Sequence, residues 1–157
     1  MRTLVKVAAV ALVSLVLVAL GVAPQLSARA LGNDYRLRVA PLDPIDPFRG
    51  AYVQLDYPDL RVDTMRGSPL AEDDSDEVYV VLVREGDVWV ADDYTADRPE
   101  GGVYLACDDR YWQLECGIES LFLPQDEARD MEQRLGEGAT ATVRIDSRGN
   151  AALLSVD

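Results

Sequence analysis

The residue types of this chain exclude several common kinds of catalytic site. Its 157 residues contain no His, and Lys6 is the only Lys. A Ser-His-Asp triad, a histidine metal site, a Schiff-base lysine and a Ser–Lys dyad each need one of these residue types. Carboxylates therefore remain the main candidates for chemistry, since 28 Asp and Glu residues are present.

Glu119 is the carboxylate whose surroundings most suggest a function. It lies in G-I-E-S-L-F, a largely apolar segment, where a carboxylate must be paired, exposed or raised in pKa. A catalytic acid working with a second carboxylate, as in glycosidases, is one interpretation. No second carboxylate stands in a comparable motif, so we favour a structural ion pair, and Arg49 is the predicted partner.

The acidic run E-D-D-S-D-E, residues 72–77, is the strongest suggestion of a metal site. Clustered carboxylates can bind Ca²⁺, but the run lacks the D-x-D-x-D-G spacing of a calcium loop. A solvated acidic loop is the favoured interpretation. Two cysteines alone do not suggest a zinc site. We therefore expect no metal and no other cofactor.

The N-terminal region contains a long uncharged segment, residues 7–28, preceded by Arg2 and Lys6. About 20 apolar residues span the roughly 30 Å hydrocarbon core of a bilayer. A cleaved signal peptide is the main alternative, because Ala28-Arg29-Ala30 fits a small-x-small cleavage site. A buried core helix is a third. We predict an uncleaved anchor in residues 1–30 and a single domain in residues 31–157.

The charge of that domain excludes a non-specific nucleic-acid binder. Residues 31–157 contain twelve basic and 28 acidic residues, a net charge of −16. Affinity for nucleic acid comes from Lys and Arg that neutralise phosphates, which this excess of acid opposes. We expect the membrane, and no nucleic acid, among the partners.

Cys107 and Cys116 are the only cysteines of the chain. On neighbouring strands of an exported domain they would form a disulfide, whereas two small buried thiols are the alternative. Basic residues flank both ends of the apolar segment, so the positive-inside rule does not decide the orientation. The expected disulfide favours a domain on the extracytoplasmic side of the cell membrane.

Hydrophobic periodicity predicts a mainly β domain. Residues 34–40, D-Y-R-L-R-V-A, alternate as a half-buried strand does, and residues 78–83, V-Y-V-V-L-V, are apolar on both faces. Turn residues predict hairpins at residues 85–87 and 146–150, and residues 112–123 are predicted as a further strand. We expect about eight antiparallel strands in a sandwich or barrel, and one short helix between Pro124 and Gly136.

Two motifs carry a family resemblance. D-P-I-D-P-F-R-G, residues 43–50, leads into A-Y-V-Q-L-D-Y, and G-I-E-S-L-F-L-P occupies residues 117–124. In these motifs, and in their order after an apolar segment, the chain resembles the GDYXXLXY family, bacterial membrane-anchored proteins of uncharacterised function. The sequence departs from the family pattern at Ala51, where the family has Asp, and at Leu121, where it has Tyr.

The resemblance marks a set of candidate binding or structural residues. Arg49 could form a ligand-binding fork or could satisfy the Asp-Pro loop internally. Tyr57 is expected to face the core with Leu55, although an aromatic platform is an alternative. The full set consists of Asp43, Asp46, Arg49, Gly50, Tyr52, Leu55, Tyr57, Gly117, Glu119, Phe122 and Pro124.

Two functions are consistent with this sequence. The first is a non-catalytic, membrane-anchored envelope module that supports or binds a partner membrane protein, possibly one encoded beside it. The alternative is a carboxylate-based hydrolase acting on envelope glycan. An enzyme needs a cleft with converging carboxylates, whereas a module needs only an exposed edge or apolar patch. We favour the module, and expect the two motifs to form one structural centre.

Overall fold

The computed structural model describes residues 2–41, 52–61, 77–108, 114–122, 131, 135 and 138–157 of the chain. One long helix precedes two antiparallel sheets. The elements are α1 (Arg2–Leu31), β1 (Asn33–Pro41), β2 (Tyr52–Asp56), a 3-10 turn (Pro58–Leu60), β3 (Glu77–Glu85), β4 (Val88–Thr95), β5 (Val103–Asp108), β6 (Ser120–Phe122), β7 (Ala139–Ile145) and β8 (Ala151–Val156).

Helix α1 is long and apolar enough to cross a membrane over Lys6–Leu31. Its 30 residues extend about 45 Å at 1.5 Å per residue. The apolar side chains from Val7 to Leu26 are exposed, so this stretch is not a core helix of the domain. The helix is therefore a candidate membrane anchor or signal sequence, and the buried-helix alternative is wrong.

The larger sheet has five strands in the order β6-β2-β1-β7-β8, and the smaller has three in the order β4-β3-β5. All pairings are antiparallel. Strand β1 alternates as predicted, with Leu37 and Val39 buried and Arg36 and Arg38 exposed. The predicted mainly β fold with antiparallel sheets is confirmed.

The predicted hairpins are present. Strands β3 and β4 pair across Gly86, whose φ of 62° favours glycine in that turn. Strands β7 and β8 pair across residues 146–150. Strand β3 is central in its sheet, as expected, yet Val83 is exposed. The sheet is therefore covered on one face more fully than on the other.

One core lies between the two sheets. Its largest fully buried side chains come from β1, β2, β3, β5, β7 and the segment before β6, and they include Leu37, Leu55, Val80, Leu105, Val143 and Ile118. Because apolar faces of both sheets contribute, each sheet shields the inner face of the other from water. Both sheets thus contribute to a single hydrophobic core.

The strand predicted over residues 112–123 is wrong in extent. Of its described residues, only Ser120–Phe122 form a strand, and Glu115 makes an isolated bridge to Asp108. Gly117 has a φ of 77°, which interrupts extended backbone between the two. Of the predicted short helix, the described residues Met131 and Leu135 are helical and buried.

Candidate functional site

The two family motifs lie side by side where the structure describes them. Strand β6 pairs with β2 through Tyr52–Phe122, Val53–Leu121 and Gln54–Ser120. The contact continues past the strand, since the Leu55 N–H donates to the Glu119 carbonyl oxygen at 2.8 Å. We call residues 52–57 and 117–122 together the motif centre. The adjacency expected from the sequence is observed.

Tyr57 anchors the motif centre from inside the core. Its side chain is 6% exposed, and its hydroxyl donates to the Ile118 carbonyl oxygen at 2.8 Å. Burial, and secondarily the Glu119 carboxylate, raise the pKa of Tyr57, so the phenol stays a neutral donor. Leu55 and Tyr57 face the core as predicted. This geometry makes Tyr57 a packing residue of the motif centre.

Glu119 closes a tight turn. Its carboxylate accepts a hydrogen bond from the Cys116 N–H, and Gly117 between them has the positive φ that lets the chain reverse. The half-buried Glu119 carboxylate therefore has a backbone N–H group as its hydrogen-bond donor. Arg49, its predicted partner, lies outside the described residues, so that ion pair stays a prediction.

The predicted disulfide between Cys107 and Cys116 is confirmed. The two Cα atoms are 4.1 Å apart, and both side chains are buried. Beside them, Asp108 and Glu115 exchange backbone hydrogen bonds of 2.8 and 2.9 Å. The disulfide therefore links β5 of the smaller sheet to the turn that leads into β6 of the larger sheet.

The remaining motif residues that the resemblance marks lie outside the described part of the chain. These are Asp43, Asp46, Arg49, Gly50 and Pro124. Most of the acidic run is also outside it, with Glu77 at the start of β3 the described exception. For Tyr52 and Phe122, the structure describes the backbone pairing between β2 and β6.

The chemistry available to the described motif centre is limited. Its two carboxylates are Glu119, held in the turn, and Asp56, which pairs with Arg61. Asp56 alternates with the buried Leu55 and Tyr57 along the chain. No group of three His, Cys, Asp or Glu residues among the described residues could hold a metal ion. The arrangement favours structural packing over acid–base catalysis.

A second polar cluster joins α1 to the β7–β8 hairpin. Asp146 is 7% exposed, and it is the centre of the cluster. Its carboxylate accepts hydrogen bonds from Ser27 Oγ at 2.5 Å, Asn150 Nδ2 at 2.9 Å and the N–H groups of Arg148 and Asn150 at 2.8 and 3.1 Å. We call this contact, with Ala28, Arg29 and Gly32, the anchor junction.

Hydrogen bonding keeps Asp146 ionised in the anchor junction. Burial by itself would raise the pKa of Asp146, but the hydrogen bonds from Asn150, Ser27 and the backbone outweigh it and lower that pKa. Sequence reasoning missed this role, because D-S-R-G-N was interpreted only as a hairpin loop. The signal was an Asp and an Asn framing a Gly, a pattern that many solvent-exposed turns share.

Close backbone packing completes the anchor junction. Ala28 is fully buried, and the Arg29 guanidinium donates to the Leu153 carbonyl oxygen at 3.2 Å. Arg144 donates to the Arg29 carbonyl oxygen at 3.1 Å. A Cβ on Gly32 would lie 2.6 Å from the Ala28 carbonyl oxygen, so glycine is required there. The end of α1 is therefore built into the domain.

A cleft of about 290 Å³ opens beside the anchor junction, between α1 and the sheets. Leu20, Ala23 and Pro24 form its helix wall, while Glu77, Tyr79, Arg98, Ala106, Arg148 and Asn150 form the domain wall. One wall is apolar and the other is charged. Sequence reasoning missed this cleft, because its two walls are more than fifty residues apart in the chain.

The fold and the motif centre define a class of protein: an acidic, disulfide-bonded β domain of two antiparallel sheets behind an apolar N-terminal helix. A sequence model of the GDYXXLXY protein family matches residues 14–156, and the chain belongs to that family. The family is one of uncharacterised function. No curated protein and no solved structure matches the chain.

Proposed function

We propose that this protein is a non-catalytic envelope module, held in the cell membrane by an uncleaved α1, that supports or binds a partner membrane protein. Its β domain faces the extracytoplasmic side. The observation that carries the proposal is the anchor junction, in which the last turns of α1 form part of the domain.

The anchor junction argues against removal of α1. The small-x-small sequence Ala28-Arg29-Ala30 lies in helix, with Ala28 buried against the domain. Cleavage after Ala30 would take away the Ser27 donor of the buried Asp146 and the Arg29 contact to Leu153. A buried carboxylate that loses hydrogen-bond donors lowers the free energy of unfolding. The fold of the domain is therefore more stable with α1 attached.

The length of α1 is sufficient for a membrane-spanning segment followed by a C-terminal end that packs against the β domain. At 1.5 Å per residue, about 20 residues counted from Val7, the first residue of the uncharged segment, cover a hydrocarbon core of about 30 Å and end near Leu26. The remaining residues, including Ser27 and Ala28, then lie at the membrane surface, where the domain packs on them. Pro24 within α1 is tolerated in membrane helices. The domain would therefore sit at the bilayer without a flexible linker.

The disulfide supports a location of the β domain on the extracytoplasmic side of the membrane. Cys107 and Cys116 are bonded and buried, and disulfides persist outside the reducing cytoplasm. The net charge of −16 in residues 31–157 is also compatible with a domain that binds no nucleic acid.

A direct test of the anchor is the intact mass of the protein from membrane and soluble fractions, with thiol labelling of the unfolded, unreduced chain. We expect an intact N-terminus in the membrane fraction and no labelled thiol. A soluble protein that begins at Leu31 would refute the anchor. Two labelled thiols would refute the extracytoplasmic orientation.

A partner membrane protein is supported by the apolar surface of α1. Side chains such as Leu15 and Leu17 are exposed and free to contact lipid or another helix. A photoreactive residue at Leu15, compared with one at Asp87 in the β3–β4 turn, tests where partners bind. We expect discrete protein adducts from position 15. Adducts with lipid alone at position 15 would contradict partner binding through α1.

No observation favours the hydrolase alternative. A glycosidase needs two carboxylates placed across a cleft. In the motif centre, Glu119 accepts a backbone N–H and Asp56 pairs with Arg61. We therefore propose no catalytic role for either residue.

A further inference from the structure

The outer face of the larger sheet is polar, as expected of an antiparallel sheet face that meets water. Its side chains on β1 and β7 include Arg36, Arg38, Thr140, Thr142 and Arg144, which the register places next to one another. The residues between them, such as Leu37 and Val143, are buried. This face therefore needs no covering partner.

The outer face of the smaller sheet is apolar instead. Between the buried residues of β3 that face the core, the outward residues are Tyr79, Val81 and Val83. The register sets Val83 opposite Val90 of β4, and we call these four residues the outer patch. Val83 is 40% exposed, the largest value for a large aliphatic side chain among the described residues of the two sheets. An apolar sheet surface that water reaches is typical of an interaction site.

The outer patch is continuous with the apolar surface of α1. Tyr79 also lines the cleft beside the anchor junction, whose helix wall contains Leu20 and Ala23. On the β5 side, Tyr79 packs edge-on against the ring of Tyr104, with the ring centroids 5.7 Å apart. The apolar side chains along α1 are exposed as well. A partner that contacts α1 in the membrane can therefore continue onto the outer patch without crossing a polar surface.

Acidic side chains border the outer patch on its β4 side. Glu85 ends β3, and Asp92 and Asp93 are exposed where the pairing of β3 with β4 shifts its register. The register sets Asp93 opposite Val81, so this carboxylate lies at the edge of the patch. The net charge of −16 in residues 31–157 repels a second copy of the chain and attracts a basic partner.

We propose that the outer patch is the docking surface for the partner membrane protein of the proposed function, on which this inference rests. The docking segment of that partner presents apolar side chains flanked by Lys or Arg. Contact of its apolar side chains with Val81, Val83 and Val90 supplies the affinity. The acidic residues beside the patch select a basic segment and disfavour an acidic one.

Photo-crosslinking of the full-length protein in its own membrane tests the outer patch. A photoreactive residue replaces Val83, and a matched one replaces Arg36, which is also exposed but lies on the polar face of the larger sheet. The crosslinked peptide is then sequenced by mass spectrometry. We expect a discrete protein adduct from position 83 and none from position 36. The captured peptide should contain apolar residues with Lys or Arg beside them.

Two variants of the crosslinking protein separate the apolar and the charged contributions. Val90→Ser should lower the yield of the position-83 adduct about tenfold, because it removes apolar contact area. Asp93→Lys should lower it about fivefold, because it reverses a charge beside the patch. Asp157→Lys is the matched control, since it makes the same change of net charge at an exposed site on the larger sheet, and should leave the yield unchanged. Asp93 is exposed, so its variant remains a valid test even if Val90→Ser fails to fold.

Several outcomes would overturn the proposal. They are an adduct between two copies of this chain, adducts with lipid alone, equal yields from positions 83 and 36, a captured peptide without basic residues, and an Asp93→Lys variant that behaves like Asp157→Lys. Protein adducts from position 15 of α1 without any from position 83 refute the outer patch alone. A soluble protein that begins at Leu31 refutes the anchor of the proposed function instead.

Discussion

The anchor junction makes one prediction that can be worked out from its hydrogen bonds. Ser27→Ala removes one donor to the buried Asp146 carboxylate, the bond of 2.5 Å. A hydrogen bond to a charged group contributes about 1.5–3 kcal/mol. Because Ser27 is half-buried, water replaces part of that bond. We expect a loss of about 1.5 kcal/mol in the free energy of unfolding.

Asp146→Ala should cost more than Ser27→Ala. Four donors lose their acceptor, three within the hairpin loop and one from α1. Water can reach the loop donors once the carboxylate is gone, so each bond is counted below the range for a charged group, at about 1 kcal/mol. The total loss is then about 4 kcal/mol. Ser155→Ala is the matched control, since Ser155 donates to an exposed Asp157 carboxylate, and it should change stability by less than about 0.5 kcal/mol.

The pH dependence follows from the lowered pKa of Asp146. A carboxylate whose pKa in the folded state lies below its unfolded value stabilises the fold above the unfolded pKa, and this contribution is lost as the pH falls through the folded value. The ordinary value is 3.8. The wild-type protein should therefore lose the contribution of Asp146 to its free energy of unfolding below about pH 4. The free energy of unfolding of Asp146→Ala should show no such loss in that pH range.

The assay is denaturant unfolding of the full-length protein in mild detergent, followed by tryptophan fluorescence, with limited proteolysis of the segment that joins α1 to β1. We expect faster cleavage near Gly32 in Ser27→Ala and in Asp146→Ala. If Ser27→Ala unfolds and is cleaved like Ser155→Ala, α1 is not part of the folded domain and the reasoning fails.

Three further predictions concern packing and covalent links. Tyr57→Phe should lower the free energy of unfolding by about 1–2 kcal/mol, measured by denaturant melts, because the hydroxyl bonded to the Ile118 carbonyl is buried; an unchanged melt would contradict this role. Gly32→Ala should destabilise by about 1–3 kcal/mol, since the new methyl meets two backbone oxygens, whereas Gly101→Ala, in open space, should not. Reduction of the disulfide should cost roughly 2–3 kcal/mol, and equal stability with and without reductant would argue against its contribution.

A rigid connection between α1 and the domain has a functional consequence. The helix ends at Leu31, β1 begins at Asn33, and Gly32 between them is packed against Ala28 and Ile145. A domain attached in this way keeps a fixed orientation relative to α1. In our proposal this lets the domain present one surface to a membrane partner.

Local patterns in the sequence were sufficient for most elements of this fold. The alternation of Leu37 and Val39 with arginines predicted β1, and Gly86 predicted the β3–β4 hairpin. Strand and turn signals depend on neighbouring residues, which the sequence displays directly. The segment before β6 misled the same reasoning, because the positive φ of Gly117 and the Glu119 turn depend on a particular backbone path.

The sequence by itself determined the apolar helix, the β class, the family resemblance and the candidate cysteine pair. Only the tertiary structure decided which distant groups meet. It placed Ser27 against Asp146, 119 residues apart, and it gave Glu119 a backbone donor, the Cys116 N–H, that the sequence did not predict. The physical reason is that hydrogen bonding of a buried charge is satisfied by whatever donor the packed chain brings within about 3 Å, and sequence spacing does not encode that distance.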